Sequence, residues 1–80
     1  MREEVRYTQS ARKHRIGRAH ARHVMDTAEP VREPGTGQQK DRLTWTGPDD
    51  RGVELEIVAV DLPDYLLVIH VMPANFRRNR

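Results

Sequence analysis

The stretch Val53 to Met72, VELEIVAVDLPDYLLVIHVM, decides the fold. Val53 to Val60 is rich in β-branched residues, and Glu54 and Glu56 alternate with apolar neighbours as in a half-buried strand. Asp61-Leu62-Pro63-Asp64 is a turn, and Tyr65 to Met72 is a further strand stopped by Pro73. Upstream, Leu43-Thr44-Trp45-Thr46 alternates with period two and is joined to Val53 by the turn-rich Gly47-Pro48-Asp49-Asp50-Arg51-Gly52. Three strands with short connections predict an antiparallel meander.

Register follows from keeping apolar side chains on one face. Pairing Val60 with Asp64 and Trp45 with Val53 gathers Leu43, Trp45, Val53, Leu55, Ile57, Ala59, Tyr65, Leu67, Ile69 and Val71 on the inner face. The outer face then holds Arg42, Thr44, Glu54, Glu56, Val58, Leu66, Val68, His70 and Met72. Arg42 is expected across from Glu56, and Glu54 diagonal to His70. Leu66, Val68 and Met72 make that outer face too apolar for open solvent, so they are expected to meet a protein partner.

The first half of the chain has a different character. Val5 to Thr8 reads as a short edge strand, and Ser10 as a helix N-cap leading into Ala11 to Arg15. Beyond Gly17, the stripe Ile16, Ala19, His23, Val24 and Thr27 predicts an amphipathic helix over Arg18 to Thr27, ended by Glu29-Pro30. Pro30 to Lys40, PVREPGTGQQK, reads as a long loop. The prediction is one α+β domain over residues 1–80, with one or two short N-terminal helices packed on a three- to four-stranded antiparallel meander.

Composition narrows the chemistry. At 80 residues there is room for a single small core. The absence of cysteine removes disulfide scaffolds, Cys-type zinc sites and thiol nucleophiles. No run approaches the about 20 apolar residues that a spanning helix needs, and no secretory apolar segment follows Met1, so a cytoplasmic protein is expected, with no membrane association. Ser10 is the only serine, and PGTG at residues 34–37 lacks the ending and setting of a P-loop.

Net charge is only +2, but it is unevenly spread. The segment Ser10 to His23, SARKHRIGRAHARH, carries Arg12, Lys13, Arg15, Arg18 and Arg22 with His14, His20 and His23, and no carboxylate. Such clustering suits a phosphate-rich partner; the plain alternative is a solvated helix face. Five cations also repel a dication, so no metal is expected on the three histidines, and no cofactor is implied. His23 is expected at the core edge.

Metal-free RNA cleavage needs a proton acceptor, a proton donor and cations around the crowded phosphate. His70 fits base or acid, Glu56 is a further catalytic candidate on the same face, and Lys13, Arg42 and Arg77 fit the phosphoryl charge. Arg12, His14, Arg15, Arg18, Arg22, Arg77 and Arg78 fit the RNA backbone. The plain alternative makes Arg42–Glu56 an ordinary cross-strand pair and His70 a surface strand residue.

The order Lys13-His14-x-Ile16, a short helix ending near Glu29-Pro30, Asp41-Arg42, Trp45-x-Gly47, Arg51-Gly52-x-Glu54-Leu55 and a last strand closing on Met72-Pro73-Ala74 resembles BrnT-type toxins of bacterial toxin–antitoxin pairs. The resemblance spans Ser10 to Arg78, in motifs of two or three residues. It implies a RelE-like fold, ribonuclease activity on mRNA, free or on the ribosome, and a DNA-binding antitoxin as partner. Lys13, His14, Arg42 and Arg77 occupy family positions. Arg15 stands where the pattern has glycine, and the C-terminal acidic, Tyr-bearing helix of the pattern has no counterpart before Arg80. Two other classes fit the residues: a non-catalytic nucleic-acid-binding module, and an interaction adaptor docking through Leu66, Val68 and Met72. The apolar outer face also admits a homodimer.

Overall fold

The computed structural model describes residues 4–74. Arg77 and Arg78, named above as RNA-binding candidates, lie outside the described residues. The architecture is α+β: strands β1 (Val5–Tyr7), β2 (Val31–Glu33), β3 (Arg42–Pro48), β4 (Glu54–Asp61) and β5 (Leu66–Pro73), a 3-10 turn at Ser10–Arg12, and helix α1 (Arg18–Thr27). The sheet order is β1-β5-β4-β3-β2. β2 to β5 form an antiparallel meander, and β1 adds in parallel to the outer side of β5.

Two features enlarge the predicted sheet. Val31 to Glu33, expected as loop, pairs with Thr44 to Arg42 as β2. Its three residues are bracketed by Pro30 and Pro34, whose missing N–H groups keep the edge strand short. Val5 to Tyr7 is an edge strand as expected, and Thr8 N–H extends it by donating to the Val68 carbonyl.

α1 has the predicted bounds but is turned about its axis. Ala21, Val24 and Met25 are buried and Ala28 packs beside them, the i, i+3, i+4, i+7 spacing of a core-facing stripe. Ala19, His23 and Thr27 are exposed. Both stripes contain Val24; the observed one buries Met25 where the predicted one would bury the His23 imidazole, and an apolar thioether desolvates more cheaply than a ring with two nitrogens. The helix sits close to the sheet at Gly47, where an added Cβ would lie 3.4 Å from that of Ala28.

Strand register differs from the expectation in two ways. Trp45 lies opposite Ile57, not Val53, a slip of four residues that preserves facing, so Leu43, Trp45, Leu55, Ile57 and Ala59 are the inner residues as predicted. Val53 lies outside β4 and is exposed, and Arg42 lies across from Val60, with Glu56 across from Thr46. On β5 a bulge changes the facing. Val58 pairs with His70 but Ala59 pairs with Val68, leaving Ile69 unmatched. Leu66 and Val68 are therefore buried, at 1% and 0% exposure, and offer no surface to a partner. Of the three residues assigned to partner binding, Met72 alone stays on the outer face, half-buried and opposite Glu56.

Candidate nucleic-acid interface

The cationic segment is built by the 3-10 turn, the link that follows and the first turns of α1. Ala11 plugs the turn into the core, and the turn packs against β5. That leaves Arg12, Lys13, Arg15 and Arg18 exposed, none in an ion pair with a described carboxylate. The Arg18 guanidinium lies 5.8 Å from the centre of the Tyr7 ring. Burial pushes the Tyr7 phenol above its ordinary pKa, against the opposing pull of Arg22 and Arg18. Arg22 is held by Asp26 at 3.2 Å, one helical turn on. His14 is half-buried and engaged, and His23 points to solvent rather than to the core edge.

On the sheet, His70 Nε2 lies 3.5 Å from Glu56 Oε1, an ion-pair contact when the imidazole is protonated. Glu56 is the more enclosed, with its side chain 13% exposed. Arg42 shares this face, beyond the Thr44–Val58–His70 row. It stands about 10 Å across and about 7 Å along from His70, so the two are on one surface but not in contact. α1 covers the other face, where it packs on β3 and β4. The cationic helix and the His70 face therefore do not line a single groove. They are linked only at the β5 edge, where the 3-10 turn packs.

A second cluster joins elements that sequence reasoning kept apart. His20 Nδ1 lies 2.6 Å from Asp50 Oδ1, tying the first turn of α1 to the β3–β4 connection. The contact holds the Asp50 carboxyl below its ordinary pKa, chiefly through the His20 hydrogen bond. Next to it, Asp49 is buried and its oxygens are fully occupied. Oδ1 accepts the backbone N–H groups of Arg51 and Val53, and Oδ2 accepts the Arg51 guanidinium at 2.6 and 3.0 Å. Gly52, at φ +85°, supplies the left-handed residue of the turn. The donor atoms of His20, Asp49 and Asp50 lie within 4.8 Å of one another. With Asp49 committed to four donors, the group reads as a network that fixes the turn rather than an open cation site. Asp49-Asp50 beside Gly52 is the only sequence signal for it, and that is a signal for a turn.

Burial alone would raise the Asp49 carboxyl, but the Arg51 guanidinium and the two backbone N–H groups outweigh it and hold the pKa at about 2, against 3.8 for the ordinary side chain. The folded value is the lower one, so Asp49 contributes stability fully above about pH 4, lost as pH falls toward 2. Asp49→Ala leaves two backbone donors without partners and should cost about 3 kcal/mol. For a domain this size that lowers Tm by about 12–24 °C. Thermal melts of both proteins at pH 7 and pH 2.5 check this: the difference should be large at pH 7 and shrink in acid.

Among the described residues no helix is long and apolar enough to cross a membrane. Comparison of the chain with protein families, with curated proteins and with solved structures finds no match in any of the three.

Proposed function

We propose that this chain is a toxin-type, metal-independent endoribonuclease with a RelE-like arrangement, acting on mRNA and held in check by a DNA-binding antitoxin. The observation that carries the reading is the Glu56–His70 contact on the sheet face that α1 leaves uncovered, with Arg42 on the same face. An imidazole both accepts and donates protons near neutral pH. In the proposed step His70, oriented by Glu56, takes the proton of a ribose 2′-hydroxyl. The 2′-oxygen attacks the adjacent phosphorus, the bond to the 5′-oxygen breaks, and the products are a 2′,3′-cyclic phosphate and a 5′-hydroxyl whose oxygen takes its proton from water, with the proton held by His70 returned to solvent. Arg42 stabilises the phosphoryl charge, and Lys13, with Arg12, Arg15 and Arg18, carries the flanking backbone past the β5 edge.

Arg15 supports the resemblance on physical grounds. Its φ is 58°, in the left-handed region where glycine is favoured, and it stands at the position where the BrnT pattern has glycine after Lys-His. A backbone built for glycine accounts for both facts.

Purified protein incubated with end-labelled RNA in EDTA should yield products ending in 2′,3′-cyclic phosphate. His70→Ala should slow cleavage by about 100-fold or more while leaving the RNA gel shift intact. A salt-sensitive shift with no wild-type products overturns the nuclease and leaves the second reading, a non-catalytic RNA-binding module. That reading is favoured by the four exposed cations, none of them in an ion pair with a described carboxylate, which need no sheet chemistry to bind phosphates.

A further inference from the structure

Residues 34–41 join β2 to β3, and this connection is pinned at several points. The Gly35 N–H donates to Asp41 Oδ1 at 2.9 Å, and Arg32 Nη1 donates to Asp41 Oδ2 at 3.0 Å. The Gln39 N–H donates to the Thr36 carbonyl at 2.9 Å. Gly35 permits the closure, since a Cβ there would overlap the Gln39 carbonyl oxygen and lie 2.7 Å from the Lys40 carbonyl carbon. The closed connection leaves a polar cavity of about 200 Å³ lined by Glu33, Pro34, Gly35, Gln39, Lys40 and Arg42. All of these are exposed except Gly35, which is half-buried, so the cavity opens to solvent. Pockets for drug-sized molecules begin near about 300 Å³; this smaller space suits a single flat ring system.

The charges around the cavity do not answer one another. Glu33 and Arg42 lie directly opposite on β2 and β3, the usual setting of a cross-strand ion pair. Yet neither they nor Lys40 form an ion pair among the described residues. The cavity therefore offers a carboxylate acceptor, two cationic donors and the Gln39 amide, which carries both functions. A phosphate alone is opposed by Glu33, and an ammonium or guanidinium group by Lys40 and Arg42. A neutral ring with two adjacent donors and acceptors next to them suits both signs. Among nucleobases guanine has that pattern: N1–H and the N2 amine donate side by side, while O6 and N7 accept. Adenine and cytosine set a ring-nitrogen acceptor beside their amine, and uracil flanks N3–H with two carbonyl oxygens. None of the three gives a carboxylate two donors.

We infer that this cavity is a base-reading subsite for a guanine of the bound RNA, with Glu33 accepting from N1–H and the N2 amine and Lys40 donating to O6. Arg42 belongs both to the cavity wall and to the open sheet face, and it holds the phosphate that continues the strand toward His70. The subsite rests on the RNA-binding part of the proposed function and not on the cleavage step, because base reading serves a nuclease and a binding module alike.

Competition anisotropy in EDTA with the His70→Ala protein keeps cleavage out of the measurement. Against a labelled uridine nonamer, a competitor with one central guanosine should bind about tenfold tighter than one with adenosine, cytidine or uridine there, the low end of what a bidentate base contact contributes. A central inosine, which lacks the N2 amine, should lose most of that advantage. Adding Glu33→Gln, at an exposed position, should bring guanosine to within about twofold of adenosine with little change in Tm. Should that variant fail to fold, the inosine comparison decides alone. Equal competition by all four bases overturns the guanine subsite and leaves the RNA interface standing. A guanosine preference that survives Glu33→Gln, or that inosine retains in full, overturns the subsite as well. A protein that binds none of the strands overturns the subsite and the RNA reading together.

Discussion

Val68→Asp is expected to leave the chain unfolded, while Leu67→Asp, one residue away, keeps a folded domain. Val68 has no exposed surface, lies opposite Ala59 and belongs to the same core as Trp45, Ile57 and Leu66. A carboxylate there finds no cation and no route to water, a cost of several kcal/mol. A domain of this length has roughly 4–12 kcal/mol in total, and deletion of the valine contacts adds to the loss. Leu67 faces the other way. It is half-buried, opposite Val60 on β4 and beside Arg6 on β1, so an aspartate keeps water on one side and gains a cationic neighbour. Its cost should be about 1 kcal/mol. Circular dichroism melts and the dispersion of amide proton NMR signals decide between the two. A folded Val68→Asp with an unfolded Leu67→Asp would restore the register without a bulge.

That pair of substitutions tests a feature of the sheet that could not be read from the chain. β3 and β4 alternate polar and apolar residues, Thr44 with Trp45 and Glu56 with Ile57, so a wrong pairing by four residues still sorts every side chain but Val53 correctly. Leu66 to Val71, LLVIHV, is apolar at every position but His70, and with no alternation the chain carries no mark of where its facing changes. The bulge at Ile69 resolves this by giving Leu66 and Val68 to the core before it and Val71 after it, with His70 kept outside. His70 was thus placed on the correct face, but its companion was not. The expected β3–β4 pairing puts Glu56 near Arg42 and the expected Val60–Asp64 pairing puts Glu54 near His70, whereas Val60 pairs with Leu67 and Glu56 is the residue in contact with His70.

The helix shows the same limit from another side. Its ends were legible because Gly17 and Pro30 punctuate it, but its rotation was not, since Ala19, Ala21 and Ala28 supply small apolar residues all round. Contacts between distant segments left no trace at all. His20 and Asp50 are thirty residues apart, and Arg32 reaches an Asp61 twenty-nine residues on. Neither the turn network nor the Arg32–Asp61 contact follows from local pattern. The exposure of Arg12, Lys13, Arg15 and Arg18 was legible, because charge concentrated in one contiguous stretch points to solvent without knowledge of what packs against what.

Replacing Arg12, Lys13, Arg15 and Arg18 together by glutamine is the change with the largest expected effect on RNA. All four are exposed, and none is paired with a described carboxylate, so no buried partner is stranded by their loss. The fold should change in stability by no more than about 0.5 kcal/mol per site, which a thermal melt verifies. Arg15 keeps its left-handed φ as glutamine and so gains no relief. Binding is another matter. Each cation on a phosphate releases counterions, and on single strands log K falls with log salt by about 0.7 for each contact. If all four engage RNA, the salt slope should flatten by roughly two to three, and affinity near 0.1 M salt should fall about 100-fold. Fluorescence anisotropy with a labelled single-stranded RNA at several salt concentrations measures both quantities. His70→Ala under the same conditions should leave slope and affinity unchanged, since a proton-transfer residue contributes to the chemical step rather than to phosphate neutralisation. A quadruple variant that binds within about threefold of the wild type, with its slope intact, would remove this segment from the interface and with it the route by which RNA is proposed to reach the His70 face.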